Sequence, residues 1–304
     1  MPQVNYIHLA EMAFNKPLLA TSSVSDMIAS FLKGKMFNLP IDESRLSARD
    51  MEVQSIGSPE QSQNLAIICV HGVLVPRRGL ITQACTEVTS YELIRNQLSK
   101  ALNDDSVKEI ALDINSGGGS AQGAFELAEY IYQNRDKKPI RAIVNFNAYS
   151  GAYLIAAACT EIILSDTGGV GSVGVYTKRY DLSKWYEEQN VDIHTFYRGA
   201  RKVDRQPDVA MTDEERLSIE LDMDKTYQKF TDAISRYRNI SIDEAINTEA
   251  DCFEGEEAIK LGLADTLSTP QEAVNSIASR IVASQTQQPT ISIQAAHMRM
   301  QTQL

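Results

Sequence analysis

From Leu65 the chain alternates short apolar runs with longer segments of helical period: "LAIICVHGVL", "YELIRNQLSKALND", "EIALDIN", "GAFELAEYIYQN" and "IRAIVNF" follow in that order. Short apolar runs suit buried strands, and apolar residues three and four apart suit one face of a helix. Their alternation predicts crossover units around a largely parallel sheet, hence an α/β fold. Further strands are expected at "EIILSD", "GSVGVYT" and "DIHTFY", each bounded by glycine or polar residues. A long helix is expected over "TDEERLSIELDMDKTYQKFTDAISRYRN". Thr212 and Glu215 form a capping-box pattern there, and Ile219, Met223, Tyr227, Phe230, Ile234 and Tyr237 recur at spacings of four and three. That face is expected to bury within its own domain. Two shorter helices are expected at "IDEAINTE" and "EGEEAIKLGLAD", the second stopping at Gly262.

The pattern is weak at both ends. Residues 1–60 lead through the polar stretch "SPEQSQN" and read as an arm or cap. Residues 61–270 carry the α/β pattern, and residues 271–304, rich in Gln, Ser, Thr and Ala, are expected to form a disordered tail.

Composition narrows the classes. The 304 residues are 43% hydrophobic, enough for one large core or two modest ones. The formal charge of −11 leaves no broad basic footprint for nucleic acid or anionic lipid, so partners are expected to be proteins or small molecules. Cys69, Cys85, Cys159 and Cys252 lie far apart without a CxxC pair and read as buried thiols of a reducing compartment, so no metal site or cofactor is expected. No signal peptide is expected at the start, and no apolar window approaches the ~20 residues of a membrane span.

Chemistry concentrates in two places. "INSGGGSAQG" puts Gly117, Gly118 and Gly119 between a strand and a helix, without the GxxxxGK[ST] of a phosphate loop or the GxGxxG of a dinucleotide site. Such glycines form a flexible turn, or they let main-chain N–H groups approach a reacting carbonyl and serve as half of an oxyanion hole. "NFNAYSGAYLIAAAC" turns from an apolar strand through Ser150 into a helix of small residues. Ser150 reads either as a helix N-cap or as an exposed nucleophile whose neighbour Gly151 supplies the second amide. The glycine turn favours the nucleophile, and the small residues then leave room for a peptide.

A serine hydroxyl needs a base. His194 follows Ser150 but sits in the strand-like "VDIHTFY", while "FYRGARKVDRQPD" holds Lys202 among Arg198, Arg201 and Arg205. Moving a lysine pKa from about 10.4 to about 7 takes roughly 4 to 5 kcal/mol, which burial and neighbouring positive charge can supply.

"INSGGGS", "AYSGAYLIAAAC", "GGVGSVGV" and "RKVDRQP", in this order and followed by the long helix and "EGEEAIKLGLAD", resemble the signal peptide peptidase A family of Ser-Lys serine peptidases. The likeness is greatest to its bacteriophage branch of head maturation and capsid assembly proteases, and "AFNKPLL" is similar to the phage members' amino-terminal segment. The resemblance implies a Clp protease/crotonase-like spiral of repeated ββα units with a long helical segment toward the C-terminus. It implies Ser150 as nucleophile, Lys202 as general base, Ser172 as the residue orienting the lysine, and Gly118 and Gly151 as oxyanion donors. Gly117 stands where the family often has proline. Gly119, Tyr149 and Tyr153 are expected to line the substrate. A homo-oligomer is implied, with the lysine able to come from an adjacent subunit, and so are capsid or scaffold protein substrates within the assembling prohead in the host cytoplasm. The alternatives are a soluble bacterial peptidase of the same family, a crotonase-fold acyl-CoA hydratase or isomerase, and a catalytically silent ring-forming protein.

Overall fold

A computed structural model describes residues 17–21, 64–77 and 88–284. The first half, in chain order, holds β1 (Leu18–Ala20), β2 (Leu65–His71), β3 (Val73–Val75), β4 (Val88–Ser90), α1 (Tyr91–Asn103), β5 (Glu109–Ser116), β6 (Gly118–Ser120), α2 (Ala124–Asn134) and β7 (Ile140–Tyr149). After these come α3 (Gly151–Ala157), β8 (Glu161–Leu164), β9 (Gly169–Gly171), α4 (Ser183–Glu188), α5 (Asp213–Arg238), α6 (Ile242–Ile246), β10 (Cys252–Glu254), α7 (Gly255–Lys260) and β11 (Thr266–Leu267). A final helix, α8, covers residues 270–284.

The expected α/β architecture is present, with mixed sheets. The larger sheet runs β10-β9-β7-β5-β2, with β8 also on β7 and β11 on β8; all its pairs are parallel except β9 with β10. A four-stranded sheet, β1-β6-β3-β4, lies at the carboxyl ends of β2 and β5, because each of these continues through a tight turn into a short strand of the second sheet.

Side chains alternate across the parallel strands, so one strand supplies two cores. Ile110, Leu112 and Ile114 of β5 pack with Ile94 and Leu98 of α1, Leu127 and Ile131 of α2, all of α3, and Phe230 and Ile234 of α5. Ala111 of β5 faces the other way, with Leu65, Ile143 and Ile163, and is covered by Ala273, Val274, Ile277 and Ile281 of α8. Here the expected disordered tail needs correction, since its first part is a core helix. Thr269 Oγ1 accepts from the Glu272 N–H at 3.3 Å while the Glu272 carboxylate accepts from the Thr269 N–H at 3.2 Å, a reciprocal cap with Pro270 at the first helical position. Residues 285–304 lie outside the described residues.

Three other expectations change. Of the amino-terminal arm, residues 18–20 are a strand of the second sheet, and residues 1–16 and 22–63 lie outside the described residues. "GSVGVYT" leaves the sheet after Gly171, and "DIHTFY" forms no strand: every residue from 191 to 200 is exposed and pairs with no strand among the described residues. The long helix is present from Asp213, but only its carboxyl half is covered. Phe230, Ile234 and Tyr237 are buried, whereas Leu217 and Leu221 are exposed. Its capping box is half formed: Thr212 accepts from the Glu215 N–H, and the Glu215 carboxylate turns instead to Arg179 at 3.0 Å. The stop of α7 is as expected, with Gly262 at φ 72° and the Leu263 N–H returning to the Ala258 carbonyl at 2.9 Å. Of the thiols expected to be buried, Cys159 is, and Cys69 and Cys252 are exposed.

Candidate active site

β7 delivers the chain to Ser150, and α3 begins at the next residue. Between them the backbone of Ser150 takes φ 54°, ψ −117°, a region that favours glycine and costs other residues about 1–3 kcal/mol. Two main-chain bonds hold it there: the Ser150 N–H donates to the Gly171 carbonyl at 2.8 Å, and the Ser150 carbonyl accepts from Leu154 at 2.9 Å. The helix-cap alternative fails, because the Ser150 hydroxyl caps no N–H of α3. It is fully buried and has no hydrogen-bond partner among the described residues.

The glycine turn stands against this corner. Gly118 has φ 93°, and a Cβ there would collide with the Leu19 carbonyl oxygen, 2.9 Å from the Gly151 nitrogen and 3.0 Å from the Tyr149 carbonyl oxygen. Only a glycine lets the two main chains approach so closely. The Gly118 N–H donates to Ser116 Oγ at 3.1 Å, and Ser116 Oγ in turn donates to the Gly72 carbonyl at 2.6 Å. Gly119 is small for a different reason: a Cβ there would overlap the Leu74 carbonyl of β3. Its partner on the other side is Leu19 of β1.

Ser172 follows Gly171, which pairs with Tyr149, so it lies one residue from the strand that holds Ser150 in place. It too has a positive φ of 54°, fixed by its N–H to the Asp251 carbonyl at 2.7 Å. Ser150, Gly151, Gly118 and Ser172 are thus gathered within one corner. Lys202 is not. It sits in the 3-10 turn Ala200–Val203, exposed, and its amine makes no hydrogen bond or ion pair among the described residues. His194, the other candidate base, is also exposed.

The tyrosines divide. The Tyr149 ring lies against Gly169, and burial raises its hydroxyl pKa, with the charges of Cys252 and Glu254 adding to the effect. Tyr153 is buried in the core and donates to the Leu263 carbonyl at 3.0 Å, which corrects its expected place along a substrate. Its hydroxyl is engaged with the turn that follows α7. Tyr153→Phe is expected to lower stability by about 1–3 kcal/mol, from the unpaired buried carbonyl, and to leave KM unchanged. Denaturant unfolding with peptide kinetics checks both halves; a raised KM would restore Tyr153 to the cleft.

Three contributors were missed. Ser116 holds the Gly118 amide, and its place within "NSGGG" was the available signal. Tyr91, whose pKa burial pushes far above the ordinary phenol range, donates to the Ser120 carbonyl at 2.7 Å and fixes the end of β6. Leu19 reaches the corner from a distant, aperiodic segment, where the only signal was the likeness of "AFNKPLL" to the phage members' amino-terminal segment. Elsewhere, Cys69, His71 and Asp113 of β2 and β5 have ligating atoms within 4.8 Å of one another, with His71 Nε2 2.9 Å from Asp113 Oδ2. Alternation along the strands puts them on the sheet face opposite α3. A surface hollow of about 630 Å3 between α1, α2 and α5, lined by Arg95, Phe125 and Arg236, includes none of the corner residues.

Comparison with known proteins adds the following. The sequence pattern of Peptidase family S49 matches residues 132–283. The chain is 31% identical over 291 residues to the head-tail preconnector protein GP5 of Enterobacteria phage P21, covering 91% of this chain and 58% of that protein. It is 31% identical over 285 residues to the capsid assembly protease C of Escherichia phage lambda, covering 89% and 65%. A putative signal peptide peptidase SppA of Enterococcus faecium is 24% identical over 233 residues, covering 76% and 67%. The chain therefore spans less than two thirds of the length of the two phage relatives.

Proposed function

Since the chain belongs to peptidase family S49, we propose that it is a serine endopeptidase with Ser150 as nucleophile and Lys202 as general base. One observation carries this reading: a buried serine hydroxyl without a hydrogen-bond partner among the described residues sits on a strained strand-to-helix corner, against two glycine main chains. Structural serines are hydrogen-bonded when buried, and strain of this kind is kept where the position of the side chain matters.

In the reaction, the Ser150 oxygen attacks the carbonyl carbon of a peptide bond as the neutral Lys202 amine removes its proton. The Lys202 ammonium then gives that proton to the departing amine, and water hydrolyses the acyl-serine by the same route. The oxyanion draws on the N–H groups of Gly118 and Gly151. The Gly118 N–H is exchanged from Ser116, which keeps its bond to the Gly72 carbonyl. Ser172 holds the lysine in line. The strand, short strand, helix order of β5, β6 and α2, and the similar order of β2, β3 and α1 with the short strand β4 interposed, support the spiral of ββα units.

We place Lys202 in an adjacent subunit of a homo-oligomer. Among the described residues it is exposed and its amine is unbonded, and its segment carries exposed apolar side chains, including Ile193 and Phe196, the last 92% exposed. The substrates are capsid or scaffold proteins of an assembling phage head in the host cytoplasm, in keeping with the names of the two phage relatives. No helix among the described residues is long and apolar enough to cross a membrane.

Co-expression with the capsid and scaffold proteins encoded beside it tests the reading, with products identified by mass spectrometry. Wild type and His194→Ala are expected to give the same cleavage products. Loss of cleavage in His194→Ala would overturn the lysine as base, and the absence of any product from wild type would overturn the peptidase.

A further inference from the structure

The corner at Ser150 is already filled by this chain. β1 runs antiparallel along β6 with Leu18 opposite Ser120, Leu19 opposite Gly119 and Ala20 opposite Gly118. Its other edge is paired as well: the Leu18 N–H donates to the Tyr176 carbonyl at 2.9 Å, and the Tyr176 N–H to the Leu18 carbonyl at 3.3 Å. The Thr21 N–H donates to the Gly117 carbonyl at 2.9 Å. A three-residue strand held on both edges is an inserted strand, and these main-chain bonds are open to any extended peptide.

The position of Leu19 is specific. Its carbonyl oxygen lies against Gly118, and it would be 3.0 Å from a Cβ on Gly151, so it sits between the two main chains proposed to supply the oxyanion donors. A scissile carbonyl would take that place. The Leu19 side chain is fully buried, as is the Ser150 hydroxyl.

We propose that Pro17–Thr21 is a built-in occupant of the substrate groove, which keeps Ser150 covered until the segment is displaced, and that the groove takes extended peptides with a leucine-sized apolar residue at the place of Leu19. The inference rests on the peptidase reading for its meaning, but the docking itself is separately testable. Substrate must compete with a tethered strand whose effective concentration is in the millimolar range. A capsid protein packed at high local density can compete, and a dilute bystander cannot.

Two arms test the occupant. In a Ser150→Ala background, Leu19→Asp puts a charge in an apolar site and is expected to release the segment. A fluorescein-labelled peptide of the sequence KPLLATS, followed by anisotropy, should then bind at least about ten-fold more tightly than to Ser150→Ala alone. Equal binding by a folded variant would overturn the proposal. The second arm does not depend on that variant folding. Leu18 and Tyr176 exchange both main-chain bonds, a pairing with Cα atoms about 5.5 Å apart, which suits a disulfide. Oxidised Leu18→Cys/Tyr176→Cys enzyme should lose at least about nine tenths of its turnover of labelled casein, supplied at a concentration on the order of millimolar so that it competes with the tethered strand, and regain it with reductant. Complete cross-linking with unchanged turnover would overturn the proposal. If wild type cleaves neither co-expressed capsid protein nor casein at that concentration, the peptidase reading fails, and peptide binding still decides the docking.

Discussion

Ser150→Gly is expected to abolish cleavage and to make the protein more stable. The hydroxyl is the nucleophile in the proposed reaction, and its loss from a serine enzyme costs about 10^5- to 10^6-fold in turnover. Stability moves the other way for two reasons. The backbone at φ 54°, ψ −117° is strained for serine and relaxed for glycine, a difference of about 1–3 kcal/mol. The buried hydroxyl also lacks a partner among the described residues, and removing it spares a desolvation cost of about 1–3 kcal/mol. Against these stands the greater entropy of glycine in the unfolded chain, about 0.5–1 kcal/mol. The net gain is about 1–5 kcal/mol, or a rise in midpoint of roughly 2–20 °C. Ser150→Ala separates the two gains, since it removes the hydroxyl and keeps the strain. Calorimetry on the three proteins, with turnover of a capsid-derived peptide, checks the pattern. A midpoint that falls in Ser150→Gly would mean the corner is not strained, and turnover above about one hundredth of wild type would point to another nucleophile.

That corner was legible because it is local. "NFNAYSGAYLIAAAC" passes from an apolar strand to a run of small residues through one serine, and a strand, turn and helix within fifteen residues leave few ways to fold. The glycine turn was legible for the same reason, whereas its partnership with Gly151 was not a local property. Helices α1, α2 and α5 were readable from their period. The helix at residues 270–284 carried a start signal in Thr269, Pro270 and Glu272, but its Gln, Ser and Ala content masked the stripe of Ala273, Val274, Ile277 and Ile281. The sheet face that needs this stripe is assembled from residues 65–163, so burial there was not visible from the segment alone.

Two misreadings share another cause. "DIHTFY" has the alternation of a strand, yet Ile193 and Phe196 are exposed among the described residues. Periodicity reports that apolar residues want cover without saying which molecule supplies it. "PLLA" has no period to read, and Leu18–Ala20 pairs as a strand with Gly118–Ser120 on one edge and Tyr176 on the other. Both segments depend on partners distant in sequence, one in this chain and the other in the proposed oligomer.

The second large effect follows from that oligomer. Lys202→Ala is expected to lower turnover by about 10^4-fold, the scale of losing the base that activates a serine. Ser150→Ala is inactive as well, so either variant alone yields no product. When the two are co-expressed with different tags and the mixed assembly is purified, the outcome depends on which chain supplies the lysine. If every site draws its lysine from a neighbour, a site is complete when a Lys202→Ala chain supplies the serine and a Ser150→Ala chain supplies the lysine. Random assembly around a closed ring makes that combination at about one site in four, so about a quarter of wild-type turnover should return. A site built within one chain can never be complete in the mixture. Turnover that stays at background in a verified mixed assembly would place the base in the same chain as Ser150, and residues 172–212 would then have to fold back onto the corner before catalysis.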